Sequence, residues 1–179
     1  LSYILALLLE RDKDSTIASF LATNRRAWKP VLAMALFGAA GQIIAYSGFE
    51  PGFQRMNPTH NIALTLANGM VVISGQLYPV FAPLIGWVGT FLTGYGTASI
   101  VLFGKLQVTT ANLLQVSPSL LASGMAVGSA VGSISSPLKI ALAASMCGAE
   151  GREGWILART IPLGIGAALV LGLVLLLML

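Results

Sequence analysis

The chain has 179 residues, of which 56% are hydrophobic and only 9% are charged, and its mean hydropathy is +0.84. Soluble domains carry about 25% charged residues, so this composition excludes an ordinary soluble domain and predicts an all-α, polytopic integral membrane bundle. The net charge of +4 comes from residues that lie between apolar segments, which excludes a nucleic-acid-binding patch. A single cysteine, Cys147, excludes an intrachain disulfide and a cysteine metal cluster.

The start of the chain leads into the first complete span. Leu1–Leu9 is apolar but too short to cross a bilayer, and we expect it to be the end of a cut helix that begins upstream. Residues 10–29 hold five of the ten basic residues, which predicts a cytoplasmic loop. Within this loop we expect a short interfacial helix that is capped by Asp14 or Ser15 and ends at Leu21.

Residues 30–179 are predicted to form full spans and broken helices. We expect roughly four full spans and two broken or re-entrant segments. The full spans with the clearest limits are Pro30–Gly48, Ile62–Phe81 and Leu163–Leu179. No linker divides these segments, so residues 1–179 are expected to belong to a single transmembrane domain. The cut helix expected at Leu1–Leu9 predicts that they are its C-terminal portion.

The segment Pro83–Gln107 contains the first predicted interruption. Two apolar arms, each too short to span, are joined by the glycine- and hydroxyl-rich stretch Thr93–Ser99. This pattern favours a helix broken in the middle of the membrane, where transporters often bind their substrates. The alternative is an ordinary polar loop between two short helices. Pro79 and Pro83 are expected to end the preceding span.

A second interruption is predicted at Gly132–Pro137. The helix before it carries glycines at every fourth position from Gly124 to Gly132, which lets another helix pack closely. Ser136 is a favourable N-cap and Pro137 a favourable first helical residue, so a new helix is expected to begin there.

Lys139 lies in the first turn of that new helix. A cation is unfavourable there because the helix dipole is positive at its N-terminal end. Two interpretations remain open: Lys139 is a functional charge within an apolar segment, or its side chain extends to the membrane surface.

Enzymatic chemistry is not indicated by the sequence. The chain has one histidine, one cysteine and no carboxylate pair within an apolar segment, so we predict no catalytic residues, no metal site and no cofactor. Thr93–Gly96 is similar to the filter sequence of potassium channels, but Leu92 and Thr93 stand where the filter has Thr and Val. An ion channel and a transport-dead membrane fragment are the weaker alternatives.

Several strings together resemble the bacterial lactate permease family. They are Ala45–Gly48, Gly86–Gly94, Thr97–Ser99, Leu102–Gln107 and the pair Ser136-Pro137. The resemblance extends from Gly41 to about Leu163. It implies secondary active transport of a small 2-hydroxy monocarboxylate such as L-lactate or glycolate, with proton symport, by a multi-pass protein of the bacterial plasma (inner) membrane. The implied partners are the organic anion, protons, the lipid bilayer and the missing N-terminal half of the same protein, and they include no nucleic acid.

The sequence also departs from the family pattern. Tyr95 stands where the family usually has Ser, Gly96 where it has Asn or Asp, and Ile100 where it has Asn. Leu138 and Lys139 replace the usual Gln-Ser pair. Because these changes remove polar side chains that would handle substrate or protons, a divergent carrier of another small organic anion is the alternative function.

The candidate substrate site combines both interruptions. Free N–H groups and positive dipole ends at the helix starts near Thr97–Ser99 and Ser135–Pro137 would favour a carboxylate. Hydroxyl groups would donate hydrogen bonds, glycines would allow close backbone approach, and Lys139 would supply a fixed positive charge. The predicted substrate-binding residues are Thr93, Gly94, Tyr95, Gly96, Thr97, Ser99, Ser135, Ser136 and Lys139.

Overall fold

The structure, a computed structural model, describes residues 13–50 and 56–179. The chain divides into two compact units at Leu36, and the packing described below belongs to the second, Phe37–Leu179. The expectation that residues 1–9 end a cut helix lies outside the described residues.

The described residues confirm the all-α class, since they form helices, turns and one isolated bridge between Phe49 and Met56. Short 3₁₀ turns occur at Pro58–His60 and Gly75–Leu77. The α-helices are α1 Lys13–Tyr46, α2 Ile62–Ser74, α3 Tyr78–Thr93, α4 Gly96–Leu114, α5 Pro118–Gly132, α6 Pro137–Met146 and α7 Glu153–Met178.

The predicted loop at residues 10–29 is wrong over its described part, because α1 runs without a break from Lys13 to Tyr46. The short helix ending at Leu21 is therefore also wrong. The charged segment is rich in residues with good helix propensity and has no glycine before Gly38, so it continues the apolar helix that follows. The local charge did not indicate a loop.

Within residues 13–50 and 56–179, three helical segments are long and apolar enough to cross a membrane: Ile62–Thr93, Pro118–Met146 and Glu153–Met178. The apolar part of α1, Val31–Tyr46, is shorter than a span, and α4 is not among the three. The first of the three contains α2 and α3, which are separated by the turn at Gly75–Leu77.

The expected end of the second span at Pro79 and Pro83 is wrong. Pro79 lies in the first turn of α3, where a missing N–H group costs nothing because that group has no intrahelical acceptor. Pro83 lies inside α3 and does not terminate it. The interruption falls instead at Gly75, whose φ of 52° requires a residue without a Cβ atom.

Helix α3 lies at the centre of the bundle and packs against α4, α5 and α7. The Tyr78 hydroxyl donates to Gln107 Oε1 at 3.1 Å, and the Ser99 hydroxyl donates to the Gly86 carbonyl at 3.0 Å. Later residues of α3 therefore contact earlier residues of α4, so the two helices form an antiparallel hairpin.

Helices α3 and α5 are parallel and unusually close. Gly128 lies against the backbone of Pro83, and one turn later Gly132 lies against the backbone of Trp87. The predicted glycine ladder on α5 is thereby confirmed as a packing surface. Gly124, at its start, faces Leu175 of the antiparallel α7.

The apolar core and the two predicted interruptions lie at opposite ends of α3. The apolar core occupies the end where α3 begins, and it is formed by Tyr78, Ala82, Ala111, Leu121 and Leu175. Both predicted interruptions lie at the opposite end of α3.

Candidate functional site

The second predicted interruption is confirmed as a break within one helical path. Helix α5 ends at Gly132, residues 133–136 form a turn, and α6 begins at Pro137. Ser136 is the N-cap residue, but its side chain makes no capping hydrogen bond. The segment Pro118–Met146, which contains α5, the turn and α6, is long and apolar enough to cross a membrane.

The first interruption is confirmed in position but differs in form. The chain leaves α3 at Gly94, which has φ 78° and donates its N–H group to the Thr90 carbonyl at 2.8 Å. It enters α4 at Gly96 and reverses direction. The feature is therefore a tight turn between two antiparallel helices, which agrees with the alternative interpretation and not with a single helix broken in its middle.

The two interruptions contact each other. A Cβ atom added to Gly94 would lie 2.8 Å from Leu138 Cδ2 and 3.6 Å from Ser136 Oγ. The Ser135 hydroxyl donates to the Thr160 carbonyl of α7 at 2.7 Å. Thr160 follows the charged start of α7, so the interruptions lie toward that polar end and not at the middle of the apolar segment.

Two predicted donor hydroxyls already have acceptors within the protein. Ser99 is fully buried, donates to Gly86 and accepts from the Ser129 hydroxyl at 3.1 Å. Thr93 Oγ1 lies 2.8 Å from the Gly89 carbonyl and 3.0 Å from the Tyr95 carbonyl. Because a hydroxyl has one proton, neither group offers a free donor in this conformation.

Replacing Ser99 with Ala is expected to lower the free energy of unfolding by about 1 kcal/mol, because the Ser129 hydroxyl would lose its buried acceptor. A combined Ser99→Ala, Ser129→Ala variant should lose less than the sum of the two single variants. Chemical unfolding of the purified protein measures all three. Strict additivity would show that the two hydroxyls are not paired.

The remaining predicted residues of the first interruption are less enclosed. Thr97 is exposed, and Tyr95 and Gly96 are half-buried. Gly96 approaches the Ser129 carbonyl, which lies 3.6 Å from the position of an added Cβ atom. This close approach joins the start of α4 to the last turns of α5.

Lys139 is exposed and folds back across the second break. Its ammonium group donates to the Ser133 hydroxyl at 2.8 Å. The positive charge is thus held beside the N-terminus of α6, where the first-turn N–H groups and the helix dipole already favour an anion.

Three buried polar atoms near the breaks have no hydrogen-bond partner among the described residues: Trp87 Nε1, Thr90 Oγ1 and Ser136 Oγ. Ser136 was predicted as a site residue, whereas Trp87 and Thr90 were not. Trp87 and Thr90 lie one turn apart on α3, and Gly94 follows Thr90 by one further turn. Once α3 is assigned as a helix, this spacing places Trp87 and Thr90 on the same face of α3 as Gly94.

Long apolar helices, a tightly packed glycine seam and two contacting helix interruptions define a multi-pass helical membrane protein. The prediction of a bacterial membrane location is confirmed by these helices together with the bacterial relatives reported next. The chain belongs to the L-lactate permease family, whose sequence profile matches residues 1–179. The predicted family is thus confirmed, and it is a family of permeases and not of enzymes.

Named relatives support this membership. The chain is 37% identical to the glycolate permease GlcA of Escherichia coli K12 over 137 residues, which cover 76% of this chain and 23% of that protein. It is 32% identical to the L-lactate permease of the same organism over 145 residues, which cover 81% of this chain and 24% of that protein. For the L-lactate permease of Bacillus subtilis 168, the identity is 34% over 103 residues, which cover 57% of this chain and 18% of that protein.

The chain spans about a quarter of the length of the first two relatives. No solved structure matches it significantly.

Proposed function

We propose that the protein of which this chain is a part carries a small 2-hydroxy monocarboxylate across the membrane by secondary active transport with proton symport. The names of two relatives support this substrate class, because lactate and glycolate both carry a hydroxyl group next to a carboxylate. Family membership over the whole chain supports a permease activity.

The observation that carries the proposal is the contact between the two interruptions. At this contact Gly94 leaves α3 in a left-handed conformation, and the N-terminus of α6 lacks a side-chain cap. Uncapped N–H groups at a helix start attract carboxylates, and Lys139 adds a full positive charge beside them. We place the substrate carboxylate near this helix start.

The other predicted residues take different roles in this proposal. Thr97, Tyr95 and Gly96 are less buried than Gly94 and Ser136, and we infer that they face the substrate's approach. Thr93, Ser99 and Ser135 stabilise the helix arrangement through their hydrogen bonds.

Uptake of labelled L-lactate into vesicles that hold the full-length parent protein tests the proposal. We expect uptake that depends on an inward proton gradient and is competed by unlabelled glycolate. Vesicles treated with a protonophore provide the matched control. Absence of lactate uptake by correctly inserted protein would contradict the proposal, and a screen of other small organic anions would then identify the cargo of a divergent carrier.

A further inference from the structure

The starting observation is a set of hydrogen-bond donors that the fold buries without partners. Thr90 and Ser136 are 0% exposed and Trp87 is 6% exposed, and their polar side-chain atoms have no partner among the described residues. An unpaired buried donor costs about 1–3 kcal/mol, so a ligand that pairs these three atoms would stabilise the region.

The three donors belong to one seam, formed by the C-terminal half of α3 and the break between α5 and α6. A Cβ atom added to Gly132 would lie 2.9 Å from Thr90 Cβ, which places Thr90 at the start of the break. Ser136 Oγ lies at the end of the break, beside Gly94. Trp87 Nε1 lies against Gly164 of α7, next to Ser135.

We propose that Trp87, Thr90 and Ser136 form a binding subsite for the carboxylate and the adjacent hydroxyl of a small 2-hydroxy acid. This inference rests on the proposed transport function, and it names the groups that would recognise the substrate.

The chemistry of the three donors fits such a ligand. An indole N–H group can only donate, and it suits a carboxylate oxygen. The Thr90 and Ser136 hydroxyls can each donate and accept, so one binds the carboxylate while the other exchanges a hydrogen bond with the substrate hydroxyl. The uncapped start of α6 and the nearby Lys139 ammonium add the positive potential that an anion requires.

Access to the subsite depends on a movement of α3 relative to α5 and α7. In the described conformation Gly132 and Gly164 both pack directly against Trp87. A Cβ atom added to either glycine would collide with Trp87. The ligand therefore reaches the donors when the seam opens, and closure around the ligand pairs the three polar atoms. The short unwound stretch at residues 133–136 supplies the hinge.

The experiment uses the full-length parent protein and the variants Thr90→Val, Ser136→Ala and Trp87→Phe. L-lactate is the probe, and two quantities are measured: the KM for uptake and the rise in melting temperature caused by the ligand in detergent. We expect the KM of each variant to rise about tenfold, because each loses one hydrogen bond to a charged ligand. The ligand-induced rise in melting temperature should shrink accordingly.

The melting temperature without ligand separates binding from a structural role. Thr90→Val removes an unpaired buried hydroxyl, so the ligand-free melting temperature should be unchanged or higher. The matched control is Thr110→Val, since the buried Thr110 hydroxyl already donates to the Leu106 carbonyl at 2.8 Å and lies at the opposite end of the bundle. This control should leave the KM unchanged.

The outcomes also separate this inference from the transport proposal. Normal lactate uptake with an unchanged KM in all three variants would overturn the subsite and leave the transport function intact. If the wild type is stabilised by lactate and the variants are not, but no uptake occurs, the subsite stands and the transport proposal fails. A lower ligand-free melting temperature in the Thr90 and Ser136 variants, without a change in KM, would assign these hydroxyls to the fold alone.

Discussion

A Gly128→Val substitution is expected to lower the free energy of unfolding by about 3 kcal/mol or more, because it forces apart two helices whose backbones are in contact. A Cβ atom at this position would lie 2.5 Å from Pro83 Cα and would also collide with the Pro83 carbonyl oxygen. These are backbone atoms, so no rotamer change can relieve the overlap. Chemical unfolding or thermal melting of the purified protein measures the loss.

The matched control for this substitution is Gly104→Val on α4. It has the same change in helix propensity, but an added Cβ atom at Gly104 has no heavy atom within 4 Å. Gly104→Val should lower the free energy of unfolding by less than about 1 kcal/mol. Equal losses at both positions would show that α3 and α5 are not in contact through Gly128.

Substitution of Gly94 by Ala is expected to destabilise the turn between α3 and α4 by about 2 kcal/mol, through two separable causes. The first is the φ of 78°, which disfavours any residue with a Cβ atom. The second is the overlap with Leu138 Cδ2 at 2.8 Å. A second substitution, Leu138→Ala, removes the overlap, so the double variant should recover about 1 kcal/mol relative to additivity.

Gly148→Ala provides the control for the backbone effect. Gly148 has φ 66°, and no heavy atom lies within 4 Å of an added Cβ atom there. Gly148→Ala therefore carries the backbone conformational cost without a steric overlap. Combining it with Leu138→Ala should give additive losses in unfolding free energy. If Gly94→Ala and Leu138→Ala are also additive, the two helix interruptions do not touch.

The sequence could predict the second break because its signals are local. A glycine at the end of α5, a run of serines and a proline each act on their own backbone, so Gly132 and Pro137 mark the break without knowledge of the fold. The form of the first interruption is not local. Whether the chain continues or reverses after Gly94 depends on which helix α4 packs against. Local sequence signals do not predict that packing partner.

The candidate site was predicted in part for the same reason. Ser99 was a reasonable donor from its position near a helix start, but its hydroxyl pairs with Gly86 and Ser129 on two other helices. Thr90 and Trp87 resemble ordinary members of an apolar helix in sequence. Only the packing of α3 against the break shows that their polar atoms lack partners.

The antiparallel hairpin of α3 and α4 has a consequence for how the protein enters the membrane during synthesis. Helix α4 contains Lys105, Gln107 and Asn112, and it is not among the helices apolar enough to cross a membrane. Such a segment partitions poorly from the translocon into lipid by itself. Gln107 is fully buried and bonded to Tyr78, so α3 shields part of this polarity. Because only Gly94 and Tyr95 connect the two helices, we expect α4 to insert into the membrane together with α3, as one helical hairpin.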